Sequence, residues 1–188
     1  QALSGEYLYA RSAILVDPLS GQTLFEKDDE SRRYPASTTK MMTLLLALEK
    51  GNLDRRVTLP DVTKQVPKDS SLVPVYPGEK MTMRDLLYGL MLRSGNDAAN
   101  ATAVLTAGSI SAFVKLMNRR AASIGMKNTH FVNPHGYHNA EHYTTAYDLS
   151  LLARAVMSQK DALPIVSAAS YTMPATRLRD ELVITSNS

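Results

Sequence analysis

The sequence predicts a mixed α/β (α+β) fold: an antiparallel sheet flanked by helices. Three observations carry that prediction. Two strand-like segments lie near the N-terminus, helix formers dominate the middle, and the tail after Ser170 alternates weakly.

The elements follow in order. Tyr7 to Val16 is rich in β-branched and aromatic residues, Asp17-Pro18-Leu19-Ser20-Gly21 reads as a turn, and Thr23-Leu24-Phe25-Glu26 as a returning antiparallel strand. From Thr38 to Lys50, Met, Leu, Ala and Glu predict a helix that Gly51 stops. Its apolar residues wrap nearly all round, so it is expected to be buried. Pro60, Pro67, Pro74, Pro77 and Gly78 predict an irregular surface excursion over residues 60–80. Thr82-Met83-Arg84-Asp85 is a capping box opening a helix through Leu92. Ser94-Gly95-Asn96 interrupts the pattern before helices at Asp97–Ala107 and Ser111–Ile124, the second stopped by Gly125. Asn133-Pro134-His135-Gly136 is a loop, and Thr145-Ala146-Tyr147-Asp148 a second capping box for a helix to about Gln159. Residues 170–188 predict one or two strands. Neither a repeat nor a linker divides the chain.

Composition narrows the function. A chain of 188 residues, 44% hydrophobic and 21% charged, suits one compact domain. The longest apolar run, Met41 to Leu48, includes Thr43 and falls far short of the roughly 18 residues a membrane-spanning helix needs. Lys and Arg total 21 against 18 acids, for a net charge of +3. The basic residues cluster only in pairs such as Arg32-Arg33 and Arg119-Arg120, without the stripe a nucleic-acid partner needs. With no cysteine, disulfides, thiolate metal sites and a cysteine nucleophile are excluded. That composition suits an exported protein. The start at Gln1, with neither initiator Met nor charged-then-apolar leader, fits a mature or trimmed form.

Two motifs carry chemistry. In Ser37-Thr38-Thr39-Lys40, three residues of helix bring the Lys40 amine beside the Ser37 hydroxyl. A serine becomes a good nucleophile only when a neighbouring base takes its proton. Lysine serves when neutral, which burial favours and nearby positive charge favours further. Free N–H groups at the helix start would face a developing oxyanion. About one Ser-x-x-Lys match is expected by chance with 17 serines and 9 lysines. The ordinary explanation is a capping serine beside an unrelated solvated lysine. Placement tells against it, because Met41, Met42, Leu44, Leu45 and Leu46 surround Lys40. Ser94-Gly95-Asn96 reads equally as a capped helix–loop–helix corner or as a functional pair. In the second case Ser94 passes a proton and the Asn96 amide binds a peptide carbonyl.

Together these motifs are two-thirds of the signature of penicillin-interacting serine enzymes, which Lys-Thr-Gly on a strand completes. Longer segments extend the likeness: Tyr34-Pro35-Ala36-Ser37-Thr38-Thr39-Lys40-Met41-Met42-Thr43, Leu86 to Leu92 running into Ser94-Gly95-Asn96-Asp97-Ala98, Gly125 to Gly136, and His142 to Leu149. Over most of residues 7–160 the chain resembles the low-molecular-mass penicillin-binding proteins that are D-alanyl-D-alanine carboxypeptidases. The resemblance implies a β-lactamase/transpeptidase-like fold, with 1–188 the N-terminal portion of one catalytic domain and a helical subdomain at about 52–145. It implies Ser37 as nucleophile, Lys40 as base, Ser94 as proton relay and Asn96 as substrate-binding residue, with no cofactor or metal. Its implied partners are a peptidoglycan stem peptide ending in D-Ala-D-Ala and β-lactam antibiotics, and its location is extracytoplasmic.

The chain departs from the family in one respect, for none of its lysines is followed by Thr-Gly. Thr185-Ser186-Asn187-Ser188 resembles the approach to that element. The expectation is a piece of a longer protein lacking C-terminal strands, with chain exchange or dimerisation at its edges and membrane association through a segment elsewhere. His130, His135, His138 and His142 cluster within thirteen residues, but their loop context favours structural hydrogen bonds over zinc, and a His-based triad is disfavoured because Ser37 already has Lys40 close by. Two rival readings are a serine β-lactamase, for which no convincing deacylating glutamate is found, and a non-catalytic β-lactam sensor.

Overall fold

The computed structural model describes residues 13–16, 23–27 and 35–186, without the side chains of the first two segments or of Ala36 and Ser37. β1 (Ala13–Val16) pairs antiparallel with β2 (Thr23–Lys27), as expected. The turn at 17–21 and residues 7–12 lie outside the described residues. The predicted helix begins as a 3-10 turn at Ala36–Thr39 and becomes α1 only at Lys40–Lys50. Met42, Leu44, Leu45, Ala47 and Leu48 are all buried, because α1 packs against four other helices. Those are α2 (Met83–Leu92), α3 (Asn96–Ala107), α4 (Ile110–Ser123) and α5 (Ala146–Met157). Burial of so many large aliphatic chains is the main force holding the middle of the molecule together.

The capping box at the start of α2 forms in full. Thr82 accepts from the Asp85 N–H, and the Asp85 carboxylate accepts from the Thr82 N–H. At α5 only one half follows the pattern: Thr145 accepts from Asp148 N, but Asp148 turns its Oδ2 to Asn128 N and Thr129 Oγ1. That carboxylate ties the 125–130 turn to α5 instead.

Residues 60–80 differ from the expectation of a surface excursion. The segment is irregular, but Val73 and Val75 are buried, and the β3 (Arg56–Thr58) and β4 (Lys80–Thr82) pair brackets it. Three-residue strands give too little alternation to be read from sequence. A short helix, α6 (Ala162–Val166), was likewise not foreseen; its Pro164 stands in the first turn, where no intrahelical donor is lost.

The tail forms an antiparallel pair, β5 (Ser170–Met173) with β6 (Leu182–Thr185). Tyr171 docks it on α2: its ring stacks on Tyr88 at 4.0 Å and its hydroxyl donates to Asp85 Oδ1 at 2.6 Å. The loop after β5 is pinned by a buried pair, Arg179 Nε donating to Glu79 Oε2 at 3.2 Å. Among the described residues the strands form three two-stranded ladders rather than one continuous sheet. None of the described helices is singly long and apolar enough to cross a membrane.

Candidate active site

Lys40 opens α1 where the 3-10 turn ends, and it is 2% exposed. Its Nζ donates to Asn96 Oδ1 and to the His135 carbonyl, each at 2.9 Å. Burial lowers the amine from 10.5 to about 8, and the charge of Asp97 opposes part of that shift. The charge beside this lysine is therefore negative, not the positive neighbour the sequence reading invoked. Desolvation is the cause that lowers it. The backbone of Ser37 lies in the 3-10 turn; its hydroxyl belongs to the side chains outside the description.

Asn96 is the first residue of α3 and is held on three sides. Its Oδ1 receives Lys40, its Nδ2 donates to Ser70 Oγ at 3.0 Å, and its backbone N–H donates to Ser71 O at 2.8 Å. The amide can point only one way, oxygen to lysine and nitrogen to serine. Gly95 makes this close docking feasible. A Cβ there would stand 2.5 Å from Val73 Cγ2 and 2.8 Å from Asp97 Oδ1, which no side chain tolerates. Ser94 adopts φ 50, a left-handed backbone uncommon outside glycine and a form of strain that gathers at functional turns. It stands at the α2–α3 corner, half-buried, next to Asn96.

A cavity of about 210 Å³ opens over Lys40 and Asn96, walled by Ser70 and Ser71 on one side and His135 and Tyr137 on the other. His135 Nδ1 accepts from the Tyr137 N–H at 3.1 Å, which shapes the loop so that its carbonyl faces Lys40. His142 Nδ1 accepts from Val132 N at 2.9 Å, so its neutral ring carries the proton on Nε2 and donates it to Thr39 Oγ1 at 2.7 Å. Burial, helped by neighbouring cationic groups, lowers both imidazoles to about 4. His130 takes part in structure as well, its Nδ1 lying 2.5 Å from Glu141 O. Among the described residues no three His, Asp or Glu side chains converge as a metal site.

Thus the fold brings Lys40 and Asn96 together across 56 residues. Sequence reasoning missed the His135 carbonyl, Ser70 and Asp97. A backbone acceptor leaves no residue signature, and an Asp in a first helical turn reads as an ordinary match to the helix dipole.

The model of the peptidase S11 family, D-alanyl-D-alanine carboxypeptidase, matches residues 1–183. The chain is 38% identical over 151 residues to the D-alanyl-D-alanine carboxypeptidase DacF of Bacillus subtilis, covering 79% of this chain and 39% of that protein. It is 40% identical over 157 residues to DacA of Escherichia coli K12, with coverages of 79% and 39%. The solved DacD of Francisella tularensis superposes with a TM-score of 0.86 at 32% identity, over 97% of this chain and 44% of that one. The chain thus spans about two-fifths of the length of these curated relatives.

Proposed function

This chain belongs to the D-alanyl-D-alanine carboxypeptidase family, and from that premise we propose that the protein carrying it is a serine D,D-carboxypeptidase. Its substrate is a peptidoglycan stem peptide ending in D-Ala-D-Ala, and β-lactams acylate the same serine. Such a substrate lies beyond the cytoplasmic membrane, so the proposal includes an extracytoplasmic location.

The observation that carries the reading is the setting of Lys40, buried with two acceptors on its Nζ. As a neutral amine it has two N–H groups, and Asn96 Oδ1 and His135 O account for both. The lone pair is left for a proton from Ser37. In the proposed reaction Ser37 Oγ bonds to the penultimate carbonyl carbon while its proton passes to Lys40. The peptide C–N bond breaks, and the departing D-alanine amine takes that proton by way of Ser94. Water then adds to the ester, gives a proton back through Lys40, and releases the shortened peptide as its carboxylic acid with Ser37 restored. Asn96, already fixed by Ser70, holds the substrate's peptide carbonyl. In this division of labour the 3-10 turn supplies Ser37, α1 supplies Lys40, and the helical subdomain proposed over 52–145 supplies Ser94, Asn96 and both cavity walls.

A fluorescent penicillin is expected to label the full-length protein and to spare Ser37→Ala. Persistent labelling of that variant overturns the assignment. Release of D-alanine from a D-Ala-D-Ala peptide, measured beside penicillin turnover, separates the carboxypeptidase from a β-lactamase.

A further inference from the structure

Next to Asn96 lies a carboxylate to which the proposed reaction gives no part. Asp97 is 1% exposed and faces inward from the first turn of α3. Its Oδ1 accepts from Val73 N at 3.1 Å and from Ala98 N at 2.8 Å, and its Oδ2 accepts from Val75 N at 2.9 Å. Burial raises its pKa, and the backbone N–H groups of Val75, Val73 and Ala98 hold that rise back. Two of those donors belong to the chain that runs on from Ser70 and Ser71, the cavity wall that grips Asn96. The wall and the Ser-Gly-Asn turn are thus joined at four points, two through Asn96 and two through Asp97. The missing Cβ of Gly95 lets Val73 close against them.

We infer that Asp97 is a positioning residue for Lys40: it locks the 70–75 wall onto the turn that bears Asn96, the side chain that receives the Lys40 amine. This rests on the family reading and goes beyond it by assigning a role to a residue that touches neither substrate nor lysine. Charge and geometry act in opposite senses. The anion favours the ammonium, since its field raises the Lys40 pKa against the desolvation that lowers it. The same anion keeps the wall in place, without which the Asn96 amide loses its orientation.

The other groups around Lys40 leave Asp97 as the charge to vary. His135, on the opposite loop, and His142, behind Thr39, are neutral above about pH 4. Asp69 and His138 stand on the exposed rim of the cavity, where water screens them. Asn96 carries no charge.

The test is the second-order rate of penicillin acylation of the full-length protein, followed from pH 5 to 10. In the parent protein the rate is expected to rise with a midpoint near 8, where Lys40 loses its proton. Asp97→Asn is expected to lower the plateau at least about tenfold and to move the midpoint down by about 0.5–1 unit. Gly95→Ala displaces the wall but keeps the charge; it is expected to lower the plateau and leave the midpoint in place. An Asp97→Asn midpoint that stays or rises, or a Gly95→Ala midpoint that moves down equally, overturns the inference. If circular dichroism shows Asp97→Asn unfolded, Asp97→Glu decides: a slower plateau at the parent midpoint supports the inference, and a displaced midpoint refutes it. A parent protein that penicillin does not acylate, or labelling that survives Ser37→Ala, refutes the family mechanism instead.

Discussion

Lys40 has a stability signature separate from its proposed chemistry. Its folded pKa of about 8 lies below the ordinary 10.5, so between those values the unfolded chain binds more protons than the folded one. Stability is therefore expected to rise as pH climbs from 8 to 10.5, by at most about 3 kcal/mol for a shift of this size. Lys40→Met fills the same space without a titrating group. It should stay folded, lose that rise in denaturant titrations, and acylate about 10²–10⁴-fold more slowly with penicillin. A variant that kept the parent acylation rate would remove Lys40 from the mechanism. Residue identity at this position was legible from Ser-x-x-Lys; the degree of desolvation was not, because the groups closing over Nζ are the Asn96 side-chain amide and the His135 backbone carbonyl.

At the scale of elements, α2 shows how local signals and tertiary contacts divide the work. Thr82 and Asp85 satisfy each other's backbone donors, so the start of α2 is written in four consecutive residues. Thr82→Ala removes one acceptor and is expected to cost about 1 kcal/mol in chemical denaturation, leaving penicillin acylation unchanged. The same pattern at Thr145 gives only half a box, since Asp148 is recruited by Asn128 and Thr129. Sequence distinguishes neither case, because the competing donors lie 19 and 20 residues earlier. Residues 60–80 mislead in a related way. Their prolines mark irregular backbone correctly, but Asp97 supplies the hydrogen bonds that let Val73 and Val75 be buried without a regular ladder.

Across the whole molecule, buried histidines couple the site to acid stability. His135 and His142 are neutral in the folded chain down to about pH 4, whereas an unfolded histidine takes its proton near 6.5. From 6.5 down to 4 the unfolded state binds the extra protons, so stability is lost as pH falls through that window. The loss is at most about 3 kcal/mol per histidine. A thermal-melting series over pH 4–7 should show it, and His142→Gln should flatten the curve. An unchanged slope in that variant would mean His142 does not stay neutral.

What the sequence by itself determined is the part written in neighbouring residues: the helices of the middle, their caps and stops, the terminal strand pairs, and the pairing of Ser-x-x-Lys with Ser-Gly-Asn that marks the family. These are legible because periodicity, capping and turn chemistry act within a few residues. Only the tertiary structure decided that Lys40 meets Asn96 and the His135 carbonyl, that Ser70 orients the amide, and that Asp97 ties the wall to the turn. The lysine's proton affinity depends on groups distant in the chain that together exclude water, and exclusion of water is a property of packing in three dimensions.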